Sequence, residues 1–462
     1  MFATSLSTQF TKLRILATAL HNVKRTKTSA LYITGDKAHE TFAVLTPHLD
    51  FDERLQDKNE LERNLTLRGS DIDLNEIIRV WNFYKHLEGK KSGLEDSKLS
   101  ISQTIKHLSK RGNRYGEKIE TLMAHGKMVK EDLRVLKEEF WSIEEKAAIR
   151  VLSIPNKLHE KTPDSELVVF YTYSEKPSID SKFHLDVARE LDLVEYHDSS
   201  LYYLKNDAAM YELASTFYFT DLLLQKNYSQ FSNSDFSRSV IVEGCGTDYS
   251  DPKQVFTINE ADVAHKHENS RLHLTGGATL TSFMAFFAKH TVFPSHLPLK
   301  YFTVGRKYQP SSSASQSLLN VTQETAVDLF VATKDDADEM NMQFEKVLTD
   351  VIDVYESLGN HFRICFVPAK HLKGWESLRA SIQMFSTHLN DYVEVGNVSL
   401  CGNYVSKRLL FNYGKGYDIN YPCVITGTLL SVPKILACLL ESGNFSTSKD
   451  LLPDILKKYV AM

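Results

Sequence analysis

The sequence predicts an α+β protein in which an N-terminal antiparallel two-helix coiled-coil arm precedes a mixed core domain. Apolar residues keep heptad spacing in two blocks over residues 74–152, with a glycine-containing turn between the blocks. Further along, Arg271 to Asp328 has the pattern of two β-strands flanking a helix, with an arginine at a strand end and a serine-rich loop after it. We therefore divide the chain into a leader at 1–30, an N-terminal domain at 31–155 and a core domain at 156–462.

The composition predicts a folded, water-soluble protein. Of 462 residues, 42% are hydrophobic and 24% are charged, and the length predicts two or three folded units. The net charge of −5 provides no general attraction for nucleic acid, so RNA binding would require a local cluster of Lys and Arg. No apolar run is long enough to cross a bilayer, and no membrane association is expected. Five scattered cysteines, none in a C-x-x-C pair, favour a reducing compartment and argue against a zinc site: Cys245, Cys365, Cys401, Cys423 and Cys438.

The N-terminus is basic and lacks acidic residues. Five Lys or Arg residues precede Asp36, the first acid, in a stretch rich in Ser and Thr. Phe10, Leu13, Leu16 and Leu20 share one helical face. This composition is typical of a mitochondrial transit peptide, which we assign to residues 1–30, and it predicts a protein of the mitochondrial matrix. A basic, disordered N-terminus is the alternative.

Two long helices are predicted in the heptad region. The apolar positions of the two blocks are Ile77, Val80, Tyr84, Leu87, Leu94, Ile101, Ile105 and Leu108, then Val129, Leu133, Leu136, Phe140, Ile143 and Ala147. The segment 109–116 between them holds two glycines and an asparagine, which favours a turn. Two helices of about 35 residues would form a hairpin about 50 Å long.

Basic residues concentrate towards the tip of this arm. From Tyr84 to Lys130 there are eleven Lys or Arg against five Asp or Glu. The side chains around the predicted tip are Lys106, Lys110, Arg111, Arg114, Tyr115 and Lys118. Such a cluster can release counterions from an RNA backbone and stack one aromatic ring on a base, so tRNA or other mitochondrial RNA is the expected partner. A solvated coiled-coil face is the alternative explanation.

The order of these features resembles the seryl-tRNA synthetases, a family of class II aminoacyl-tRNA synthetases. The second predicted helix is followed by Ile154, Pro155 and Asn156, similar to the stretch that precedes the catalytic domain in that family, and then by a helix containing His184. The resemblance covers nearly everything from residue 45 onwards. It implies a class II core, an antiparallel sheet walled by helices, and an arm that grips tRNA. It extends to a catalytically degenerate mitochondrial branch of the family found in insects.

The first motif of the family is a long helix that leads into a strand at the dimer interface. Residues 207–242 match this pattern, with Met210, Leu213, Phe217 and Leu224 expected on the buried side of the helix. The resemblance therefore implies a dimer, formed either with a second copy of the chain or with the active mitochondrial seryl-tRNA synthetase.

Positions that hold the substrates in the family carry other residues in this chain. Thr275 begins the family's Thr-x-Glu, whose carboxylate binds the ammonium group of serine, but Gly277 stands in place of the glutamate. Arg306 begins the Arg-x-Glu that binds ATP, but Tyr308 replaces the glutamate. A buried ammonium group without a counter-charge is strongly disfavoured, and a glycine supplies no charge.

The positions for metal and phosphate differ as well. Ser381 and Gln383 occupy the places of acidic residues that serve metal and ATP, and Leu400 is expected to bring an apolar side chain into the pocket. Lys434 stands where the family has an arginine for the γ-phosphate, and a lysine lacks the planar fork that matches phosphate. The histidine-containing segment 265–273 lacks a convincing third metal ligand. We expect no metal and no cofactor.

These replacements predict a protein that does not aminoacylate, and we assign no catalytic residue. Removing one preorganised charge or donor typically lowers a rate about 10²–10³-fold. Arg306 and Lys434, as remnants of the ATP site, are expected to act as structural ion-pair partners. The alternatives are a divergent synthetase, a ligase that forms the adenylate of another acid, and a purely structural scaffold that does not bind RNA.

Overall fold

The structure, a computed structural model, describes residues 29–33, 45–110, 115–177, 182–258, 271–311, 315–416, 418–443, 445 and 447–460. The helices are α1 Phe51–Arg54, α2 Lys58–Leu67, α3 Leu74–Ser109, α4 Gly116–Leu152, α5 His184–Glu190, α6 Asn206–Gln225, α7 Ser239–Gly244, α8 Leu280–Phe287, α9 Ala337–Leu358, α10 Tyr404–Leu409, α11 Val432–Ser442 and α12 Asp454–Lys457. The strands are β1 Val168–Tyr173, β2 Val194–Tyr196, β3 Tyr202–Leu204, β4 Ser229–Gln230, β5 Phe236–Arg238, β6 Phe256–Thr257, β7 Leu272–Leu274, β8 Thr291–Val292, β9 Leu299–Tyr308, β10 Gln323–Thr333, β11 Phe362–Phe366, β12 Leu378–Ser386, β13 Asp391–Gly402, β14 Asn412–Lys415, β15 Asp418–Asn420 and β16 Cys423–Ser431.

The described residues form two compact units. One contains Ile72–Ile154 together with residues 29–33, and the other contains Leu45–Asp71 and the chain from Pro155 onwards. Residues 45–71, which we assigned to the N-terminal domain from sequence, thus group with the second unit. The rest of the domain division stays a prediction, and the leader at 1–30 lies almost entirely outside the described residues.

The first unit is built on the helix pair α3 and α4. The side chain of Asp73 caps α3 by accepting a hydrogen bond from the backbone N–H of Glu76. Arg150 lies 3.1 Å from Glu76 and Lys137 lies 4.0 Å from Glu95, so the two helices run antiparallel. Most of the predicted apolar stripe is buried between them: Ile77, Val80, Leu87, Ile101, Leu108, Val129, Leu133, Leu136, Phe140, Ile143 and Ala147. The predicted helical arm is confirmed.

An eight-stranded sheet organises the second unit, in the order β1-β11-β12-β13-β16-β10-β9-β4. Its neighbouring strands pair antiparallel, except for the short edge strand β4, which runs parallel to β9. This arrangement confirms the predicted α+β class and the antiparallel sheet walled by helices. Among the described residues, no helix is long and apolar enough to cross a membrane.

One face of the large sheet forms the main core. Helices α6, α9 and α11 pack on this face, where alternate strand residues are fully buried. The sheet residues on this face include Phe302, Val327, Leu329, Val331, Leu378, Ala380, Ile382, Val398 and Leu400. The residues between them point to the opposite face, where the polar side chains collect.

Helix α6 is apolar on two sides. Tyr211, Tyr218 and Phe219 face the core and are almost fully buried. Leu213, Phe217 and Leu224 are 44%, 50% and 49% exposed. The prediction that these three residues lie on the buried side was therefore wrong, because the aromatic side of the helix occupies the core. Met210, the fourth residue of that prediction, packs against the core and is partly buried.

Candidate ligand-binding cavity

A cavity of about 390 Å³ lies on the polar face of the large sheet. Strands β9, β10, β13 and β16 contribute to its walls, and so do the segments 246–247, 253–255, 275–281 and 373–376. The cavity lies wholly within the second unit.

Lys307 and Asp328 meet on one wall of the cavity. Asp328 alternates with the core residues Val327 and Leu329 along β10, so its side chain points away from the core. The ammonium group of Lys307 donates to the hydroxyl of Thr428 at 2.6 Å and lies 3.9 Å from Asp328 Oδ1. Lys307 and Asp328 therefore form an ion pair beside a hydroxyl group on the cavity wall.

The carboxyl group of Asp328 is poorly satisfied. It is 3% exposed, and its Oδ1 atom has no hydrogen-bond partner among the described residues. Burial raises the pKa of Asp328 to about 6, although the nearby Lys307 and a hydrogen bond with the Thr428 side chain oppose this shift. A buried polar atom without a partner is costly, and this cost disfavours the charged form of Asp328.

A second lysine enters the cavity from the loop before β12. The ammonium group of Lys373 lies 5.0 Å from the centre of the Trp375 ring. The backbone N–H of Lys373 donates a hydrogen bond to the side chain of Glu376. The surrounding protein and the neighbouring Arg379 lower the pKa of Lys373. Its side chain nevertheless remains open to solvent.

A buried ion network supports this wall. Arg379 donates to Glu376 at 2.8 Å and bonds the Glu394 carboxylate through two of its nitrogens. Ser399 and Ser381 donate to the same two carboxylates, at 2.8 and 2.7 Å. Burial alone would raise the pKa of Glu394, but Arg379 outweighs burial and holds that pKa below its ordinary value. These carboxylates are thus already neutralised by the protein.

Ser381 and Gln383 lie next to this network on β12. Gln383 donates to the Ser381 hydroxyl at 3.2 Å and accepts from Arg363 at 2.8 Å. Both side chains are buried and neither forms part of the cavity wall. Their neutral groups therefore complete an internal hydrogen-bond chain.

Leu400 lies in the core and not in the cavity. Alternation along β13 directs Asn397 and Ser399 to the cavity and Val398 and Leu400 to the core. This corrects the expectation that Leu400 brings an apolar side chain into the pocket. Lys434, half-buried at the start of α11, also lies outside the cavity wall. Burial and Arg379 have the largest effects on the pKa of Glu394, and the charge of Lys434 adds a smaller lowering of that pKa.

Arg306 lies on the other side of β9 from Lys307. It shares its strand face with the core residue Phe302, and its guanidinium lies 3.6 Å from Glu212 on α6. The side chain is 46% exposed and borders a separate hollow of about 320 Å³ together with Tyr203. The wall position that the resemblance implied for Arg306 is thus taken by Lys307.

Tyr308 lines the cavity, whereas Gly277 lies behind it. The side chain of Asp235 accepts a hydrogen bond from Gly277 N–H at 2.7 Å, and a Cβ atom at Gly277 would meet Asn233 O at 3.3 Å. The preceding Gly276 has a φ of +91°, and a Cβ there would lie 2.2 Å from the carbonyl oxygen of Arg306. Only glycine fits this turn against β9.

The predicted RNA-binding residues divide between described and undescribed positions. Lys106, Lys110 and Lys118 are exposed near the ends of α3 and α4, and Tyr115 is 36% exposed. The remaining two residues of the predicted tip, at positions 111 and 114, lie outside the described residues.

The predicted absence of a metal site concerns a region that is only partly described. Within the part of the chain that the structure describes, no group of three or more His, Cys, Asp or Glu side chains could hold a metal ion. Residues 265–270 of the histidine-containing segment lie outside that part. His273 is buried, and its ring nitrogens lie 2.9 Å from Ser239 and 3.3 Å from Thr257.

Sequence reasoning did not single out Lys307, Lys373 and Trp375 as cavity residues. For Lys307 a signal existed in the alternation of strand side chains. The apolar residues Phe302 and Val304 lie on the same side of the strand as Arg306, so Lys307 points to the opposite face. The other two residues come from a loop, where no periodicity predicts the direction of a side chain.

Comparisons with known proteins agree with this fold. Residues 262–443 match the family model of the tRNA synthetase class II core domain (G, H, P, S and T). The chain is 32% identical over 441 residues to the serine–tRNA synthetase-like protein Slimp of Drosophila melanogaster, covering 94% of this chain and 92% of that protein. The chain belongs to the seryl-tRNA synthetase family. The resemblance stated from sequence is confirmed.

More distant members of the family match over similar lengths. The mitochondrial serine–tRNA ligase of Bos taurus is 24% identical over 449 residues, covering 92% of this chain and 85% of the ligase. Two crystal structures share the fold at lower identity. Seryl-tRNA synthetase of Pyrococcus horikoshii, complexed with ATP, matches with a TM-score of 0.75 at 18% identity, covering 89% of this chain and 98% of that one. The cytoplasmic ligase of Naegleria fowleri, in complex with AMP, matches with a TM-score of 0.74 at 19% identity, covering 89% and 96%.

Proposed function

We propose that this chain is a non-catalytic member of the seryl-tRNA synthetase family that works in the mitochondrial matrix through its surfaces. It binds tRNA or other mitochondrial RNA through the arm. It also dimerises, with the active mitochondrial seryl-tRNA synthetase or with a second copy, and so supports or regulates the active enzyme.

The charge of the cavity wall is the observation that carries this proposal. In the family, serine activation needs carboxylates that receive the ammonium group of serine and the metal ion of ATP. Of the described wall residues, Asp328 and Glu376 carry carboxylates. Glu376 is paired with Arg379, and Asp328 lies beside Lys307 with a raised pKa. Because Lys307 and Lys373 add positive charge, an ammonium group or Mg²⁺ entering the cavity meets repulsion with little compensation.

The exposed side of α6 supports dimerisation. Leu213, Phe217 and Leu224 are spaced four and seven residues apart, so they form one apolar stripe along the helix. Exposed apolar residues gathered in this way are typical of a protein interface. A second class II core is the partner that the first family motif implies.

The arm supports the RNA-binding part of the proposal. Its exposed lysines at positions 106, 110 and 118 lie at one end of a long helix pair whose outer surface is available to a partner. The basic N-terminal residues and the mitochondrial relatives support the location in mitochondria.

Isolation of the tagged full-length chain from mitochondria tests this proposal. Native mass spectrometry of the purified material should detect a heterodimer with the mitochondrial seryl-tRNA synthetase, or a homodimer, together with bound RNA at low salt. Monomeric chain without synthetase or RNA would contradict it.

An adenylate-forming ligase for another acid is the second candidate. The lysines of the cavity favour it, because they could receive a carboxylate and a phosphate group together. Exchange of pyrophosphate into ATP, measured with a panel of carboxylic acids, separates the two candidates, since the non-catalytic protein should exchange with none of them.

A further inference from the structure

The cavity keeps features of a binding site although its carboxylates are neutralised. Its volume of about 390 Å³ is within the range of small-molecule sites, which is about 300–1,000 Å³. Asp328, 3% exposed, is one of its lining residues, and the Oδ1 atom of Asp328 is buried with no hydrogen-bond partner among the described residues.

The charged groups of the wall favour an anion. Lys307 is 25% exposed, and its ammonium group donates to Thr428. Lys373 reaches the cavity from the loop before β12. The exposed Lys253 also borders the cavity. Asp328 is the carboxylate that opposes these lysines, because Glu376 is already bound by Arg379.

The remaining wall is polar and hydroxyl-rich. Thr275, Thr279, Thr426 and Thr428 line the cavity, and Trp375 contributes an aromatic ring. The hydroxyl groups of Thr279 and Thr426 donate to backbone carbonyl oxygens, at 2.9 and 3.1 Å, and keep lone pairs that can accept a hydrogen bond from a hydroxyl group of a ligand.

We propose that the cavity binds a small organic oxyanion, carrying a phosphate or carboxylate but no ammonium group, without a metal ion. Lys307 and Lys373 bind the oxyanion, and Asp328 forms a hydrogen bond to a hydroxyl group of the ligand. This ligand class differs from serine, because the cavity repels an ammonium group. It also differs from metal-bound ATP, because the described wall lacks free carboxylates for a cation.

Binding measurements with defined probes test this proposal. The probes are inorganic phosphate, ribose 5-phosphate and succinate, with L-serine for comparison, all in the presence of EDTA. Isothermal titration of the full-length chain should show saturable binding of at least one oxyanion probe and none of L-serine. Phosphate probes binding without succinate, or the reverse, identifies the preferred oxyanion and supports the proposal.

The tryptophans provide a second readout within the cavity. The chain has three tryptophans, and two of them, Trp81 and Trp141, lie in the arm. A Trp81→Phe/Trp141→Phe chain therefore leaves Trp375 as the sole reporter. A titration of this variant, followed by Trp375 fluorescence, should reach half-saturation at the same probe concentration as the isothermal titration of the unaltered chain.

Matched lysine variants locate the binding. Lys307→Gln and Lys373→Gln should each bind the probe about tenfold more weakly, since a charge-assisted hydrogen bond is lost. Lys370→Gln, which removes an exposed lysine outside the wall, should bind like the unaltered chain. Lys253→Gln, at an exposed wall position, gives a milder loss and does not depend on core packing.

Several results would overturn the proposal. One is an absence of binding for all oxyanion probes up to about 10 mM. Another is an equal loss of binding in Lys370→Gln and Lys373→Gln. The others are binding that requires Mg²⁺ and binding of L-serine as strong as that of the oxyanions.

Discussion

The guanidinium of Arg306 lies 3.6 Å from the carboxylate of Glu212, on the side of β9 that faces helix α6. The next residue, Lys307, points into the cavity on the opposite side of the strand. Arg306, which the family resemblance associates with ATP, therefore forms an ion pair outside the cavity. Lys307 stands on the cavity wall in its place, and its ammonium group lacks the planar pair of donors that a guanidinium offers to phosphate. This arrangement is a physical reason to expect weak or absent binding of ATP in the manner of the active enzymes.

Two arginines should differ sharply in their contribution to stability. Arg306 is 46% exposed, so Arg306→Ala should cost less than about 1 kcal/mol of the free energy of unfolding. Arg379 is 12% exposed and binds Glu376 and Glu394, so Arg379→Ala should cost about 3–5 kcal/mol by leaving those carboxylates without a counter-charge. Urea unfolding of the two variants, each made in the Trp81→Phe/Trp141→Phe chain and followed by Trp375 fluorescence, measures the difference. Equal losses would show that the network around Arg379 does not stabilise the core.

The stability of the protein should depend on the protonation of Asp328. Burial raises the pKa of Asp328 from 3.8 to about 6, so the stability that comes from the protonated form is complete below pH 3.8 and is lost as the pH rises through about 6. Asp328→Asn mimics the protonated form. It should be more stable than the unaltered chain at pH 7.5, by up to about 3 kcal/mol, and the advantage should shrink at pH 5.

Thermal unfolding at the two pH values checks this prediction. Asp164→Asn, at a residue whose side chain is 59% exposed, controls for the loss of one negative charge. An advantage of Asp328→Asn that grows as the pH falls would contradict the prediction.

A charge on the outer face of α6 should weaken dimerisation. Phe217→Asp places a carboxylate in the centre of the apolar stripe and should raise the dissociation constant of the dimer by about 30-fold or more. Phe170→Asp, on edge strand β1, is the matched control, because Phe170 is 47% exposed and Phe217 is 50% exposed. Light scattering after size-exclusion chromatography measures the effect. If Phe170→Asp dissociates the dimer and Phe217→Asp does not, the interface lies elsewhere.

Loss of basic side chains at the arm tip should weaken RNA binding in a salt-dependent way. Replacing Lys106, Lys110 and Lys118 with Ala should reduce the slope of log affinity against log salt by about 2 to 3, one counterion contribution for each lost phosphate contact. Fluorescence anisotropy with mitochondrial serine tRNA at several salt concentrations measures this slope.

The control for the arm is a second triple variant with the same change in charge. Lys85, Lys137 and Lys146, replaced together by Ala, remove three lysines from the same helices at a distance from the tip. An equal reduction in both triple variants would assign the effect to the net charge of the arm and contradict a binding site at the tip.

The architecture was largely predictable because it depends on periodic patterns. Heptads over 74–152 determine which sides of α3 and α4 meet, and that arrangement is local in sequence. Helix α6 shows where such patterns fail. It has aromatic residues on one side, such as Tyr211 and Tyr218, and aliphatic or aromatic residues on the other, such as Leu213 and Phe217. Periodicity identifies both sides but does not determine which one packs against the sheet.

The cavity was less predictable than the fold. Matching family motifs to the sequence assigns residues to positions but does not show to which face of the sheet each side chain points. Arg306 was therefore expected where Lys307 lies, and Leu400 was expected outside the core. Strand alternation would have corrected both residues. The contributions of Lys373 and Trp375 depend on the path of a loop, which is set by contacts far apart in sequence.

Serine-dependent exchange of pyrophosphate into ATP, catalysed by the purified full-length chain, tests the central claim most directly. A non-catalytic protein with this cavity should exchange no faster than a sample without protein, with or without added Mg²⁺. Exchange that requires serine and proceeds at the rate of an active seryl-tRNA synthetase would contradict the claim.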